Sequence, residues 1–316
     1  MPSFSPAPLI TRLRSGDLRT LSRLITRVEN GDKATFEMLA ELWESRSEAR
    51  ILGVTGPPGS GKSTFVDATI AHLRSKGHRV AVLAVDPSSP FTGGAILGDR
   101  IRMQTHAADP GVFIRSLGTR GHHGGLSRTT FEAAILCAAC GFDRVLIETV
   151  GVGQTELEVV GVADQVLVLL VPEAGDVIQT MKAGLMEGAD VFAVNKCDRP
   201  GADSLIRGLV GMIEDGASLH GGERVPVFGV SALSGEGMEE ILTELALRLD
   251  EARVSPRQLP ATEWAARLLG EEVARRSAAD LRDRLSVGGD LEEDATALKE
   301  GSSNPYRLVR RLLEES

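Results

Sequence analysis

Eight residues, Gly56-Pro57-Pro58-Gly59-Ser60-Gly61-Lys62-Ser63, constrain this chain more than any other feature in it. They fit the pattern G-x-x-x-x-G-K-S and stand between an apolar run, ILGVT at 51–55, and a helical stretch at 62–75. In that context the pattern describes a loop that cradles phosphates. A polyphosphate must be neutralised without steric clash. Glycines let the backbone approach, and successive N–H groups with a helix N-terminus face the anion. Pro57 and Pro58 carry no N–H, so the donors are expected from Gly59 through Ser63. Lys62 supplies a positive charge for the β- and γ-phosphates, and the Ser63 hydroxyl is a candidate Mg2+ ligand. Gly56, Gly59, Ser60, Gly61 and Thr64 complete the candidate phosphate-binding set.

Around this loop, short apolar runs alternate with helical stretches. Strands are expected at 51–55, 79–85, 112–117, 144–149, 165–171, 190–195 and 225–230, where β-branched residues are frequent. Helices are expected at 62–75, 125–140, 176–187, 203–214 and 237–249. This βαβ rhythm predicts an α/β fold, a doubly wound and mostly parallel sheet with ligands at the carboxyl ends of its strands. Aromatic residues make up 4% of the chain, so the core must rest on Val, Ile, Leu and Ala, as a sheet buried on both faces requires. The flanks read differently. Residues 8–48 suggest two polar-faced helices broken at Asn30-Gly31-Asp32. Beyond about Arg253 the strand signal stops, and ATEWAARLLGEEVARRS and PYRLVRRLLEES are amphipathic. The expected organisation is an N-terminal helical extension over 1–48, a phosphate-loop domain over 49–252 and a C-terminal helical extension over 253–316.

A second motif selects the base. Asn195-Lys196-Cys197-Asp198 closes the strand expected at 190–195 and has the form N-K-x-D. A carboxylate at Asp198 can accept hydrogen bonds from the N1–H and the exocyclic amine of guanine. Adenine lacks that donor pair and would leave a buried Asp198 unpaired, a loss of about 1–3 kcal/mol or more. Alone, the tetrapeptide is ambiguous with a polar turn; on a later strand after a phosphate loop it selects GTP over ATP. Val230-Ser231-Ala232-Leu233 is the candidate companion loop, contacting the guanine oxygen through its backbone.

The third signal is a set of acids. Glu148 ends the strand at 144–149, where phosphate-loop enzymes hold Mg2+ or its water shell, and Gly151 is placed to sense the γ-phosphate. Asp86 ends another strand, with turn capping as its ordinary alternative. Asp99 lies in GAILGDRIRM, where a solvated loop acid is the alternative. Ser63, Asp86, Asp99 and Glu148 are therefore the candidate metal ligands, and Lys62, Glu148, Asp86 and Gln154 the candidate catalytic groups. Asp176 is a further candidate acid.

Other features read as structural. Cys137 and Cys140 have C-x-x-C spacing inside AAILCAACGF, but no second pair completes a zinc site, and they read as small buried residues. His122 and His123 form one pair in a glycine-rich loop, which does not make a metal site. A formal net charge of -9 argues against a nucleic-acid partner and against general adhesion to anionic membranes. No apolar run approaches the roughly 20 residues of a spanning helix. The N-terminus lacks the apolar core of a secretory signal, and three cysteines in a chain this long fit a reducing compartment. A cytoplasmic location is expected.

Together the motifs resemble those of the MeaB/MMAA-type (ArgK) GTPases. VAVLAVDPSSPFTGGAILGDRIRM is similar to that family's switch region, and VLIETVGVGQTE to its Glu-x-x-Gly switch loop. VPEAGDVIQTMKAGLMEGADVFAVNKCD is similar to the stretch linking a third mobile loop to the base-reading motif. The resemblance implies a Mg2+-dependent GTPase that chaperones an adenosylcobalamin-dependent acyl-CoA mutase of the methylmalonyl-CoA mutase type. Such proteins gate cofactor delivery and protect or rescue the mutase, typically as homodimers to which the C-terminal segment contributes. By the same resemblance Lys62 and Ser63 bind phosphate and Mg2+, while Asp86, Asp99 and Glu148 surround the metal. Residues from Pro172 to Lys182 would relay the nucleotide state to the mutase. Two positions depart from the family pattern: Glu173 stands where glycine is common, and His123 where leucine is expected. No side chain is an evident arginine finger, so slow intrinsic hydrolysis accelerated by a partner is expected. Two other activities suit the fold class. Metal delivery usually comes with dense Cys or His clusters that this chain lacks, and phosphoryl transfer to a protein is tied to basic amino-acid transport.

Overall fold

The structure, a computed structural model, describes residues 6–251 other than 31, 33, 44, 46–48, 87–105, 107, 119–124, 150–158, 174–184, 186–187, 215–218 and 221–222, together with Asn304. Three helices come first: α1 (Pro6–Arg14), α2 (Leu18–Glu29) and α3 (Ala34–Leu42). The core then follows as β1 (Arg50–Thr55), α4 (Lys62–Ser75), β2 (Val80–Asp86), β3 (Val112–Gly118), α5 (Gly125–Ala139), β4 (Arg144–Thr149) and β5 (Gln165–Leu170). It continues through β6 (Val191–Asn195), α6 (Ala202–Met212), a small hairpin of β7 (Leu219–His220) and β8 (Glu223–Arg224), β9 (Val227–Val230) and α7 (Met238–Glu251). The helix expected at 176–187, and the C-terminal extension apart from Asn304, lie outside the described residues.

Seven strands form one sheet in the order β3-β2-β4-β1-β5-β6-β9, parallel at every pairing. Side chains alternate across it, as the strand period of two requires. Leu52, Val54, Leu146, Leu167 and Leu169 face one core with Phe65, Val66 and Ile70 of α4 and Ile241, Leu242 and Leu245 of α7. Ile51, Val145, Ile147, Val166, Val168 and Val194 face the other core, which α5 and α6 cover. Both faces are therefore dry, which explains the near-continuous apolar strands. After β4 the chain crosses to the far side of β1. The crevice at the carboxyl end of β1 is thus the switch point where ligands bind in such sheets.

The N-terminal segment forms three helices, not the two expected. The extra break falls at Gly16, whose φ of +84° suits glycine, and at Asp17, which caps α2 by accepting from the backbone N–H groups of Arg19 and Thr20. The Thr20 hydroxyl, together with Arg12, lowers the Asp17 carboxyl to about 2. Leu21, Leu24, Ile25 and Val28 of α2 recur at helical spacing and are buried. These helices pack on α5, so α5 lies between them and the sheet and is buried around its circumference from Thr130 onward. Cys137 and Cys140 are free and buried, and burial pushes both thiols up, Cys140 to about 11. They are inert packing residues, as the sequence suggests. Asn304 is buried too and donates to the Ala40 carbonyl of α3 at 3.1 Å.

One ion pair fixes the helical layer to the edge of the sheet. Arg115 of β3 donates to Glu29 at the end of α2 and, at 3.0 Å, to the Thr26 hydroxyl. The side chain of Glu29 is only 5% exposed. Glu29→Ala strands the guanidinium in a poorly solvated place, at an expected cost of about 3 kcal/mol. Chemical denaturation checks this; an unchanged midpoint would show that the pair contributes nothing.

Candidate functional site

β1 delivers the chain into Gly56–Ser63 at its carboxyl end, and α4 starts inside the motif at Lys62. Two glycines are required by close approach. A Cβ on Gly56 (φ +139°) would stand 2.1 Å from the Leu169 carbonyl oxygen, and one on Gly61 (φ +88°) 2.3 Å from Asn195 Nδ2. The loop therefore nests against β5 and β6 in a shape that side chains would fill. Lys62 is 7% exposed and donates to the Gly56 and Pro57 carbonyls at 2.8 and 3.0 Å. Thr64 is exposed, whereas Ser60 is buried.

The carboxyl end of β4 lies beside the loop. Ser63 Oγ donates to Glu148 Oε1 at 2.7 Å, and both residues are buried. A hydroxyl and a carboxylate brought together at a helix N-terminus form a hard-oxygen donor set that suits Mg2+. Asp86 ends β2, which pairs with β4 on the side away from β1, so the backbone brings it to the same end of the sheet. Asp99, Gly151, Gln154, Asp176, His122 and His123 lie outside the described residues.

Asn195, at the end of β6, ties the N-K-x-D motif to the phosphate loop. Its Nδ2 donates to the Ser60 carbonyl at 2.8 Å, while its Oδ1 accepts from the backbone N–H groups of Lys196 at 2.9 Å and Ala232 at 3.0 Å. Lys196 has a φ of +58°, a left-handed conformation that costs a non-glycine residue about 1 kcal/mol. The Asn195 bond to its N–H and the 3.1 Å bond from its Nζ to the Gly59 carbonyl hold it there. Such strain is retained where function needs it. Asp198 is exposed, not buried as expected, because it stands in the turn that follows β6 and not in the strand itself. In the companion loop Ser231 is buried, Ala232 is engaged by Asn195, and Leu233 is 93% exposed. Burial raises the Cys197 thiol, so this cysteine is no activated nucleophile. Glu173 pairs with Arg199, directly after Asp198; its own backbone N–H and Arg199 lower its carboxyl.

Sequence patterns identified the lysine, the serine and the acid, but not their mutual contacts. The hub role of Asn195, the bond from Lys196 to Gly59 and a hydroxyl pair between Thr55 and Thr149 were not read. Threonine as the last residue of two strands that share the site was the available signal for that pair.

A phosphate loop on a seven-stranded parallel sheet, an N-K-x-D motif locked to it and a carboxylate on its serine define a P-loop GTPase. The chain belongs to the family of the methylmalonyl Co-A mutase-associated GTPase MeaB, whose model matches residues 21–280. It is similar to a putative GTPase of Pyrococcus abyssi, 40% identical over 312 residues that cover 97% of this chain and 95% of that one. The GTPase ArgK of Escherichia coli is 38% identical over 327 residues, covering 98% and 96%. Among solved structures, a LAO/AO transport system kinase superposes with a TM-score of 0.65 at 29% identity, covering 98% of this chain and 96% of that one. The chain is accordingly a GTP hydrolase. Among the described residues no helix is long and apolar enough to cross a membrane.

Proposed function

We propose that the chain is a Mg2+-dependent GTP switch that chaperones an acyl-CoA mutase of the adenosylcobalamin-dependent, methylmalonyl-CoA mutase type. The observation that carries this reading is membership of a family described as mutase-associated, in a chain whose site sits at the end of the sheet from which three connecting segments depart. β4 and β5 flank β1, β2 ends at the same end of the sheet beyond β4, and the segments 87–105, 150–158 and 174–184 follow these strands in sequence.

In this proposal the backbone N–H groups from Gly59 to Ser63 bind the phosphates, and Lys62 neutralises the β- and γ-phosphates. Asp198 pairs with the guanine edge, backed by Asn195 and the Ser231–Leu233 loop. Ser63 and Glu148, with Asp86 and Asp99, hold Mg2+, which when bound supplies Lewis-acid stabilisation of the phosphate charge. Gln154 orients the attacking water, and Gly151 reports the γ-phosphate to the partner through the segment that follows β4. Residues from Pro172 to Lys182 extend that relay, and residues 253–316 join two copies of the chain in a homodimer.

The test is nucleotide-dependent binding to an apo acyl-CoA mutase, titrated with a non-hydrolysable GTP analogue and with GDP. A clear difference in affinity between the two nucleotide states is expected. Equal affinities, or no complex in either state, would overturn the switch.

A further inference from the structure

β1 and β4 carry the two halves of the candidate catalytic centre, and their register ends at Val54 opposite Glu148. Their other neighbours go one step further: Val85 pairs with Thr149, and Thr55 with Val168. At that step β1 and β4 are joined by side chains. Thr149 Oγ1 donates to Thr55 Oγ1 at 2.9 Å, and both residues are fully buried. Packing does not require this pair. Apart from Glu148 the two strands are apolar toward their carboxyl ends, and valine has nearly the same shape with no hydroxyl to desolvate. What a hydroxyl bond adds is a fixed direction and distance between the strands. It adds them directly before Gly56 on one strand and directly after Glu148 on the other.

We propose that Thr55 and Thr149 are positioning residues for GTP hydrolysis. Their bond holds the carboxyl end of β4 against that of β1 and so fixes the Glu148 carboxylate relative to Ser63. Alternation along the strands places the two hydroxyls on the face opposite Glu148, so they act on the carboxylate through the backbone. The bond continues the pairing of β1 and β4 past the last registered pair, just where both chains leave the sheet. Loss of it frees the ends to splay, and the 2.7 Å contact between Ser63 and Glu148 is the first geometry to suffer. The inference rests on GTP hydrolysis at this site and not on the mutase partner.

The test compares Thr149→Val, Thr55→Val and the double variant with Thr149→Ser. Each is measured for single-turnover hydrolysis at saturating Mg2+ and GTP, for affinity toward a fluorescent GTP analogue, and for its thermal unfolding midpoint. Either valine is expected to slow hydrolysis roughly tenfold or more, since small misplacements at a reacting centre have effects of that size. Nucleotide affinity should stay at the wild-type value, and serine should restore the rate. Each single valine strands a buried hydroxyl and is expected to lower the unfolding midpoint, whereas the double variant should melt near wild type yet hydrolyse as slowly. The double variant should be no slower than either single one, because both remove the same bond. An unchanged rate, a double variant that melts near wild type and hydrolyses at the wild-type rate, a serine variant as slow as valine, or additive losses would each overturn the proposal. A missing complex with the mutase, which would overturn the partner reading, does not enter these rates.

Discussion

Lys62→Ala is expected to lower GTP hydrolysis about a hundredfold to a thousandfold while leaving the fold intact, in line with the removal of one preorganised charge donor from a phosphate site. The lysine is 7% exposed, and its ammonium is steered by the Gly56 and Pro57 carbonyls. A point charge in a poorly hydrated place acts more strongly on a phosphate than one in water. Alanine removes that charge without unpacking either core, because no apolar cluster depends on Lys62. Lys62→Arg should not rescue the activity: it keeps the charge but brings a larger planar group into a loop already nested against Asn195 and Leu169. Single-turnover hydrolysis beside a thermal melt checks both. A rate within about tenfold of wild type in the alanine variant would remove Lys62 from the centre.

Asp198→Asn should exchange one base for another. The carboxylate offers two acceptors to the two donors on the guanine edge, whereas an amide offers one acceptor and one donor. Xanthine has an oxygen where guanine has its exocyclic amine, so the asparagine variant matches xanthosine triphosphate. GTP affinity is expected to fall roughly tenfold to a hundredfold, the range set by an unmet polar group, with xanthosine triphosphate gaining in its place. Asp198 is exposed, and Asn195, not Asp198, ties this loop to Ser60, so stability should not change. Competition binding with GTP, ATP and xanthosine triphosphate reads the outcome. An undiminished preference for GTP would mean that another residue reads the base.

The sheet was legible because each strand is a short apolar run bounded by polar turns, and the phosphate loop fixed which strand comes first. The hairpin of Leu219–His220 and Glu223–Arg224 was not, because two-residue strands carry no periodicity. Residues 8–48 suggested one break where there are two: Gly16 and Asp17 make a turn too short to interrupt the apolar spacing. Pairings that decide the site join residues far apart in sequence, such as Ser63 with Glu148 and Asn195 with Ser60. A motif names such residues, but only the registers of β4 on β1, β5 on β1 and β6 on β5 bring them together. Glu173 shows the same limit from the other side. As a departure from glycine it has no structural meaning in the sequence alone; its ion pair with Arg199 supplies one.

The most direct measurement is the steady-state GTP hydrolysis rate of the purified chain, alone and with an apo acyl-CoA mutase from the same source. A slow rate alone and a stimulation of at least about tenfold by the mutase are predicted, as for a GTPase whose hydrolysis a partner completes. Fast turnover by the isolated chain, or a rate indifferent to the mutase, would contradict a partner-controlled switch.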